Sequence, residues 1–328
     1  MSDIAKLAGV SDSTGSRALK DSPLIAASTR ERIQRLAEEA GYAVNPVASS
    51  LRSRQTGVIT VAVPLVHERE PHLVDPFMMT MLAHLADALS DRGYNMLLSK
   101  LAAHQDGWVR RLQQPGRSDG VILIGQSIEH GSINEAARAG IPLAAWGTRL
   151  PAQKYPVVGT DNRLGGQLGT DHMIRHGRRR IAFLGDERLP EVGHRHEGYR
   201  DALREAGLKA HPELHVRSHF GSEDAYVSMR TLIETGADFD GVMAASDVIA
   251  ISAIRALVES GRRVPQDVSV VGFDDILLAE HAHPPLTTVR QELAQGAIKL
   301  VETVIAAIRG EQPESTTLAP SLIVRASA

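Results

Sequence analysis

Short hydroxyl side chains and one guanidinium crowd a single stretch near the start of the chain, DIAKLAGVSDSTGSR, residues 3–17. Ser13, Thr14, Ser16 and Arg17 supply small hydrogen-bonding groups and one forked cation, a set suited to base edges and phosphate oxygens. To present them together, the stretch must be helical. Ile4, Ala5 and Ala8 give a first short helix one small, apolar face. Gly9 offers the left-handed residue that a tight turn wants, and Ser11 is a good N-cap for a second helix. Two short helices meeting at a Gly-containing turn make a helix-turn-helix unit that reads DNA. An ordinary helical hairpin with a polar face shares the local pattern.

The elements that follow extend this unit. Ser28 and Glu31 have capping-box spacing, and Ile33, Leu36, Ala37 and Ala40 keep helical period up to Gly41, a C-terminal stop. A second short segment begins at Asn45-Pro46, a cap and first-turn pair. Val47, Ala48 and Leu51 then share a face beside Arg52 and Arg54. The segment is too short to be helical alone in water. With a partner it would expose Leu51 as an apolar wedge of the kind that enters a minor groove. The organisation expected is a headpiece at 1–44, a hinge at 45–56 and a larger body at 57–328.

The body alternates buried-strand and helix patterns. Strands are expected at Val58–Val63, Met96–Ser99, Val121–Ile124 and Leu143–Trp146, and again at Val157–Thr160, Ile181–Leu184, Gly241–Ala244 and Val268–Phe273. Helices fall between them, including Arg163–His176, Asp247–Ser260 and Leu293–Arg309. Repeated βα units imply doubly wound parallel sheets, and two series imply two lobes. Lobe 1 is expected at about 57–157 and 290–316, and lobe 2 at about 158–289 and 317–328. Ligands in such folds bind beyond the carboxyl ends of the strands.

Composition limits the function. With 43% hydrophobic and 23% charged residues, the 328-residue chain reads as an ordinary globular protein. Its lack of cysteine excludes disulfides and thiol chemistry and is compatible with a cytoplasmic location. No apolar run approaches a membrane span, and no secretory signal precedes the first helix. Residues 1–57 carry +2 and the remainder −5, which together give the net −3; a small DNA-binding module on an acidic body fits that division. His194/His196 and His281/His283 are the closest approach to a metal motif. Without nearby Cys they read as loop or turn residues, so neither metal nor cofactor is expected. P-loop, GxGxxG, GxSxG and HExxH patterns are all absent.

Over essentially its whole length the sequence resembles the LacI/GalR family of bacterial transcription regulators. The resemblance rests on residues 3–17, Gly41-Tyr42 with Asn45-Pro46, Leu51-Arg52, Asp75-Pro76-Phe77, Thr160-Asp161-Asn162, residues 177–184, Gly198-Tyr199, VPQDVSVVGFDD at 264–275 and PPLTTVRQ at 284–291. It implies an all-α helix-turn-helix headpiece on a core like a periplasmic binding protein, with the chain crossing between lobes three times. It implies a homodimer, or a dimer of dimers, on a near-palindromic operator. DNA contacts would come from Ser11, Ser13, Thr14, Ser16 and Arg17, with Asn45, Ala48 and Leu51 in the hinge. The absence of a heptad-bearing tail favours the dimer.

The resemblance also implies a small effector in the cleft between lobes. Asp75 and Phe77 match the family's aspartate-proline-aromatic; Phe77 suits the core equally. Asp161 resembles a cleft acid and could instead cap a helix. Arg195 lies near the ligand-binding arginine, although HRHEG departs from the usual pattern. Phe220 resembles a cleft aromatic, and Asp274 a ligand acceptor. Trp146 ends a strand, where an aromatic face suits a sugar ring or packs in the core. Asp247 could accept from ligand, cap a helix, or do both. Acids, one arginine and three aromatics suit a neutral polyol, which points to a carbohydrate inducer. A purine-like corepressor, or a binding module or open α/β enzyme with a degenerate headpiece, is the alternative. Asp12 and Gly15 favour the latter, since the family usually has an aliphatic residue at 15.

Overall fold

The computed structural model of the protein describes residues 2–19, 21–41, 55–65, 74–102, 108, 117–126 and 130–328. The hinge positions Asn45, Ala48 and Leu51 lie outside them. The chain divides into two compact units, Met1–Thr56 and Gly57–Ala328.

In the smaller unit, α1 (Ser2–Leu7), α2 (Asp12–Leu19) and α3 (Ala27–Glu39) close on Ile4, Ala8, Ala18, Ile33 and Ala37. Gly9 takes the left-handed conformation (φ +62°) that turns α1 into α2. Ser11 caps α2, accepting from the Thr14 amide at 3.2 Å. The capping box expected from Ser28 does not form. Ala26 is the N-cap of α3 and makes no side-chain cap bond, so Ser28 already lies inside the helix. Arg32 compensates elsewhere, donating through Nη2 to the Ala8 carbonyl at 3.0 Å and so tying α3 to the end of α1. Gly15 is buried in α2. A glycine there costs about 1 kcal/mol against alanine and forfeits the burial of a side chain. Gly15→Val is therefore expected to raise the headpiece melting temperature, read by circular dichroism; a fall would mean that the position has no room.

The larger unit runs β1 (Val58–Leu65), α4 (Pro76–Ser90), β2 (Asn95–Ala102), β3 (Gly120–Ile124), α5 (His130–Arg138), β4 (Leu143–Trp146), β5 (Val157–Thr160), α6 (Asn162–Arg175), β6 (Ile181–Leu184), α7 (Pro190–Glu205), β7 (His215–Val216), α8 (Ser222–Glu234), β8 (Gly241–Ala244), α9 (Asp247–Glu259), β9 (Ser269–Asp274), α10 (Leu277–His281), β10 (Thr287–Arg290), α11 (Leu293–Ile308), β11 (Thr316–Leu318) and β12 (Ser321–Ile323). These strands form two six-stranded sheets, ordered β11-β5-β4-β3-β1-β2 and β12-β10-β9-β8-β6-β7. Among the described pairs only β10–β12 is antiparallel. The central strands β3, β4, β5, β6 and β8 are buried along their whole length, as parallel strands covered on both faces must be.

The chain passes between lobes three times, after β5, after β10 and after β11. The lobe limits expected at 157/158 and 316/317 shift. All of β5 and β11 belongs to the first sheet, because Val158 pairs with Trp146 and β11 pairs with β5 from Thr316 to Leu318. The apolar stripe of α4 is core: Met78, Met81, Leu82, Leu85 and Leu89 are buried against β1, β3 and α11 side chains. Phe77, at its start, is partly buried and packs against the cores of both lobes.

Candidate functional site

The polar face expected on the headpiece exists. Ser13 and Arg17 are exposed, Thr14 and Ser16 half-buried. Ser11 is exposed but engaged: besides capping α2, its Oγ lies 2.9 Å from both Ser13 Oγ and Thr14 Oγ1. These hydroxyls form one small network at the start of α2, with Arg17 a turn further on.

In the larger unit, the carboxyl ends of both sheets converge on Arg195, one turn into α7. Its side chain is 7% exposed. Nε donates to Asn162 Oδ1 at 2.8 Å, Nη1 donates to the Ala245 carbonyl, and the guanidinium lies 3.7 Å from the Phe273 ring centroid. Asp274, at the end of β9, faces it with Oδ1 at 4.0 Å from Nη1. Asp274 adopts φ +116° and Asp275 φ +55°, backbone states that non-glycine residues hold only under constraint. Each is held by its side chain. Gln291 donates to Asp274 Oδ1 at 2.6 Å, and Arg290 and Arg325 both bind Asp275 at 2.7 Å. Asp275 is thus structural, whereas Asp274 turns toward the arginine.

Burial pushes the Asp274 carboxyl well above the ordinary range; Arg195 opposes this, while Asp247 and Asp75 reinforce it. Asp75 comes from the other lobe. It caps α4 through the Met78 amide at 3.2 Å, and burial pushes it up as well, against the amides of Met78 and Phe77. Arg195 is pulled down by burial and pushed back by Asp274, Glu191 and Asp247. One buried cation among several acids favours a ligand that donates hydrogen bonds over an anion.

Three of the expected ligand residues take other places. Trp146 is 4% exposed and packs in the lobe 1 core, where a Cβ on Gly296 would come 2.3 Å from its ring. The pairing of α11 over β4 closes what a strand-end aromatic would otherwise open. Asp247 is not a cap; that role belongs to Ser246, whose hydroxyl accepts from the Ile249 amide. Asp247 is fully buried, with one oxygen accepting from Thr288 Oγ1 and the other from the Ile276 amide at 2.9 Å. It braces lobe 2. Asp161 caps α6, accepting from the Leu164 amide at 3.0 Å, and lines a cavity of about 200 Å³ with Thr148, Asn162 and His194. Phe220 is half-buried against the lobe 2 core in the loop before α8.

Sequence reasoning missed Asn162, Gln291 and a cross-lobe polar chain. Gln291 joins the two crossovers, since it also accepts from Thr160 Oγ1 at 2.7 Å. In lobe 1 the Gln126 amide donates to Tyr155 Oη at 2.9 Å and accepts from the Thr148 amide at 2.7 Å. Thr148 Oγ1 then meets His194 Nδ1 of lobe 2 at 2.7 Å. A strand-end polar residue in each case was the available signal. His196, expected only as half of an i,i+2 pair in a loop or turn, stacks on His215 at 4.2 Å, and burial pushes it down to about 4.

The Asp247 brace has a measurable consequence. Burial pushes its pKa from 3.8 up to about 7, against the bonds from Thr288 and Ile276. A carboxyl with a raised folded-state pKa stabilises most at low pH and loses that contribution as pH climbs from about 4 to about 7. Asp247→Asn copies the protonated form, one oxygen to accept and one N–H to donate. It is expected to remove this slope and to stabilise the protein at pH 8 by on the order of 2–4 kcal/mol, measured by urea unfolding across that range. An unchanged slope would contradict the assignment.

Comparison with known proteins gives concordant matches. The model of bacterial regulatory proteins of the lacI family matches residues 1–45, and that of the periplasmic binding protein-like domain matches residues 170–328. The HTH-type transcriptional regulator CelR of Thermobifida fusca is 34% identical over 99% of this chain and 96% of its own. The ribose operon repressor of Haemophilus influenzae is 32% identical over 100% and 98%. Among solved structures, a CelR–cellobiose complex superposes with TM-score 0.75 at 32% identity, covering 99% of this chain and 98% of its own. The lac repressor dimer bound to operator and the anti-inducer ONPF superposes with TM-score 0.85 at 24% identity over 99% and 97%, a likeness of fold.

Proposed function

Because the chain belongs to the LacI family of bacterial transcription regulators, we propose that it represses sugar-utilisation genes and that a small carbohydrate bound between its lobes releases it from DNA. The observation that carries the effector site is Arg195. It is buried, pinned by Asn162 and Ala245, and faced by Asp274 with Asp75 of the other lobe nearby. Such a fork is pre-organised to donate to ligand oxygens at little entropic cost. The surrounding acids accept from hydroxyls. The solved complex of CelR with cellobiose supports a sugar as the class of effector. Asp75, Phe77, Arg195, Phe220 and Asp274 form the proposed contact set, with Asp161 in the adjoining cavity. The site senses a ligand; it is given no catalytic role.

On the headpiece, Ser13, Thr14, Ser16 and Arg17 are proposed to read the operator, with Ser11 orienting them and Asn45, Ala48 and Leu51 acting from the hinge. Half-sites on a near-palindrome require a homodimer. Val258, Leu277 and Leu278, each more than half exposed on α9 and α10, are apolar side chains of the kind such an interface covers. Among the described residues no helix is long and apolar enough to cross a membrane.

Fluorescence anisotropy on DNA fragments from around the protein's own gene tests the reading. Tight binding that weakens steeply with salt is expected, relieved by one member of a sugar panel that includes cellobiose. Micromolar, sequence-blind binding would overturn it; binding strengthened by a purine would reverse the sign.

A further inference from the structure

The outer face of α7 carries charges that the cleft does not use. Glu197, Arg200, Asp201 and Arg204 recur at spacings of three and four, so they share one stripe of the helix. At roughly 100° per residue that stripe lies opposite Arg195. Arg163 of α6 and the segment 207–210 beyond α7 close it into a groove of about 730 Å³, within the size range of small-molecule sites.

The groove is built round one carboxylate. The Asp201 side chain is 10% exposed. Its Oδ2 accepts from Arg163 Nε at 2.6 Å, and its Oδ1 lies 2.6 Å from Arg204 Nη2. Arg163 first, and Arg204 after it, hold the carboxyl below its ordinary range against the effect of its burial, so it stays ionised and clamps both guanidiniums. A guanidinium has more N–H groups than one carboxylate oxygen can engage, so donors remain on both. Arg200 and Lys209 are exposed, and among the described residues neither has an ion-pair partner. Glu197, also exposed, is the carboxylate that opposes them. Four cations against two carboxylates leave this groove with an excess of two positive charges, in a chain whose net charge is −3.

We propose that this groove binds the phosphate group of a small metabolite, carried as a phosphate monoester. Arg163 and Arg204, held on one carboxylate, donate to the phosphate oxygens. Arg200 and Lys209 supply the charge that balances a dianion. Leu208, half-buried against the lobe 2 core, lies against the carbon skeleton of the ester. Planar forks match phosphate oxygens, and an excess of two charges suits a dianion better than a monocarboxylate. The cleft, with Asp75 and Asp274 round its arginine, has the opposite character. The proposal stands apart from the sugar reading of that cleft.

Calorimetric titration of the intact protein with glycerol 3-phosphate, inorganic phosphate and, at matched ionic strength, acetate tests it. Glycerol 3-phosphate is expected to bind with a Kd below about 1 mM at low salt, and to weaken at least about threefold when salt is raised to roughly 0.3 M. Inorganic phosphate should bind more weakly, and acetate not at all; equal binding of phosphate and ester would contradict the part given to Leu208. Arg200→Glu/Lys209→Glu is expected to melt close to wild type, as exposed side chains without partners allow, and to lose at least about tenfold in affinity for the ester. Asp201→Asn removes a negative charge and is nevertheless expected to bind the ester at least about threefold more weakly, because the clamp is gone. A gain in affinity there would mean that charge alone draws the anion, which overturns a built site. No heat with glycerol 3-phosphate would overturn the proposal as well, and so would wild-type affinity in Arg200→Glu/Lys209→Glu, which places the anion elsewhere.

Discussion

Arg195→Ala is expected to yield a repressor that binds its operator and no longer responds to sugar. The substitution removes a fork that holds Asn162 and the Ala245 carbonyl and faces Asp274. Losing the proposed ligand donor is expected to weaken sugar affinity by at least roughly 100-fold, about 2.7 kcal/mol. A stability cost accompanies it, because Asp274 is left buried beside no cation; breaking such a pair costs on the order of 3 kcal/mol. Arg195→Lys keeps the charge and cannot serve Asn162, Ala245 and Asp274 in one plane, so it too is expected to lose most of the response. Calorimetry of the sugar and anisotropy on the operator separate the two effects. An Arg195→Ala protein released by sugar at wild-type concentrations would contradict the assignment of the cleft.

Gly166→Ala is expected to damage fold and site together. In α6, a Cβ on Gly166 would lie 2.0 Å from the carbonyl oxygen of Arg195, and on α7 a Cβ on Gly198 would lie 1.9 Å from that of Arg163. Both obstacles are backbone, which cannot swing aside as a side chain can. The two helices therefore meet at glycine-mediated contacts, and Arg195 is set by one of them. A single methyl must push α7 outward, with a cost of at least about 3 kcal/mol, above the usual range for overpacking. Sugar affinity should fall as well, since sub-ångström placement of the guanidinium is what the contact secures. Urea unfolding with wild-type midpoint would show that the helices yield more easily than their spacing implies.

Much of the fold is legible in the sequence because its signals are local. The buried runs at Leu143–Trp146, Val157–Thr160, Ile181–Leu184 and Gly241–Ala244 are strands with those limits. Gly9 turns as its position suggests. What the sequence leaves open depends on distant partners. A four-residue apolar strand carries no mark of its sheet, so pattern alone puts most of β5 in the wrong lobe, and its pairing with β4 and β11 corrects it. Trp146 ends a strand, and it is buried in the lobe 1 core, where Gly296 of α11, remote in sequence, leaves room for its ring. One residue separates the cap Ser246 from the brace Asp247, a distinction that local propensity does not make. By pattern Glu191 is an ordinary first-turn acid. Its place against the Gln126 backbone of lobe 1 is set by the fold. In the proposed site, Arg195, Asp274 and Asp75 stand out in the motifs, whereas the roles of Asn162 and Gln291 in holding the first two, though both lie in quoted motifs, show only in the fold.

The central claim is that the cleft and the headpiece are coupled, and coupling between binding sites is reciprocal. The most direct test is to titrate the inducing sugar into the free protein and into the protein saturated with operator, by calorimetry under one set of conditions. The expected result is that operator weakens sugar affinity by the same factor by which sugar weakens operator affinity. Equal sugar affinity in the two titrations would mean that the cleft does not control DNA binding, which contradicts induction by a sugar held between the lobes.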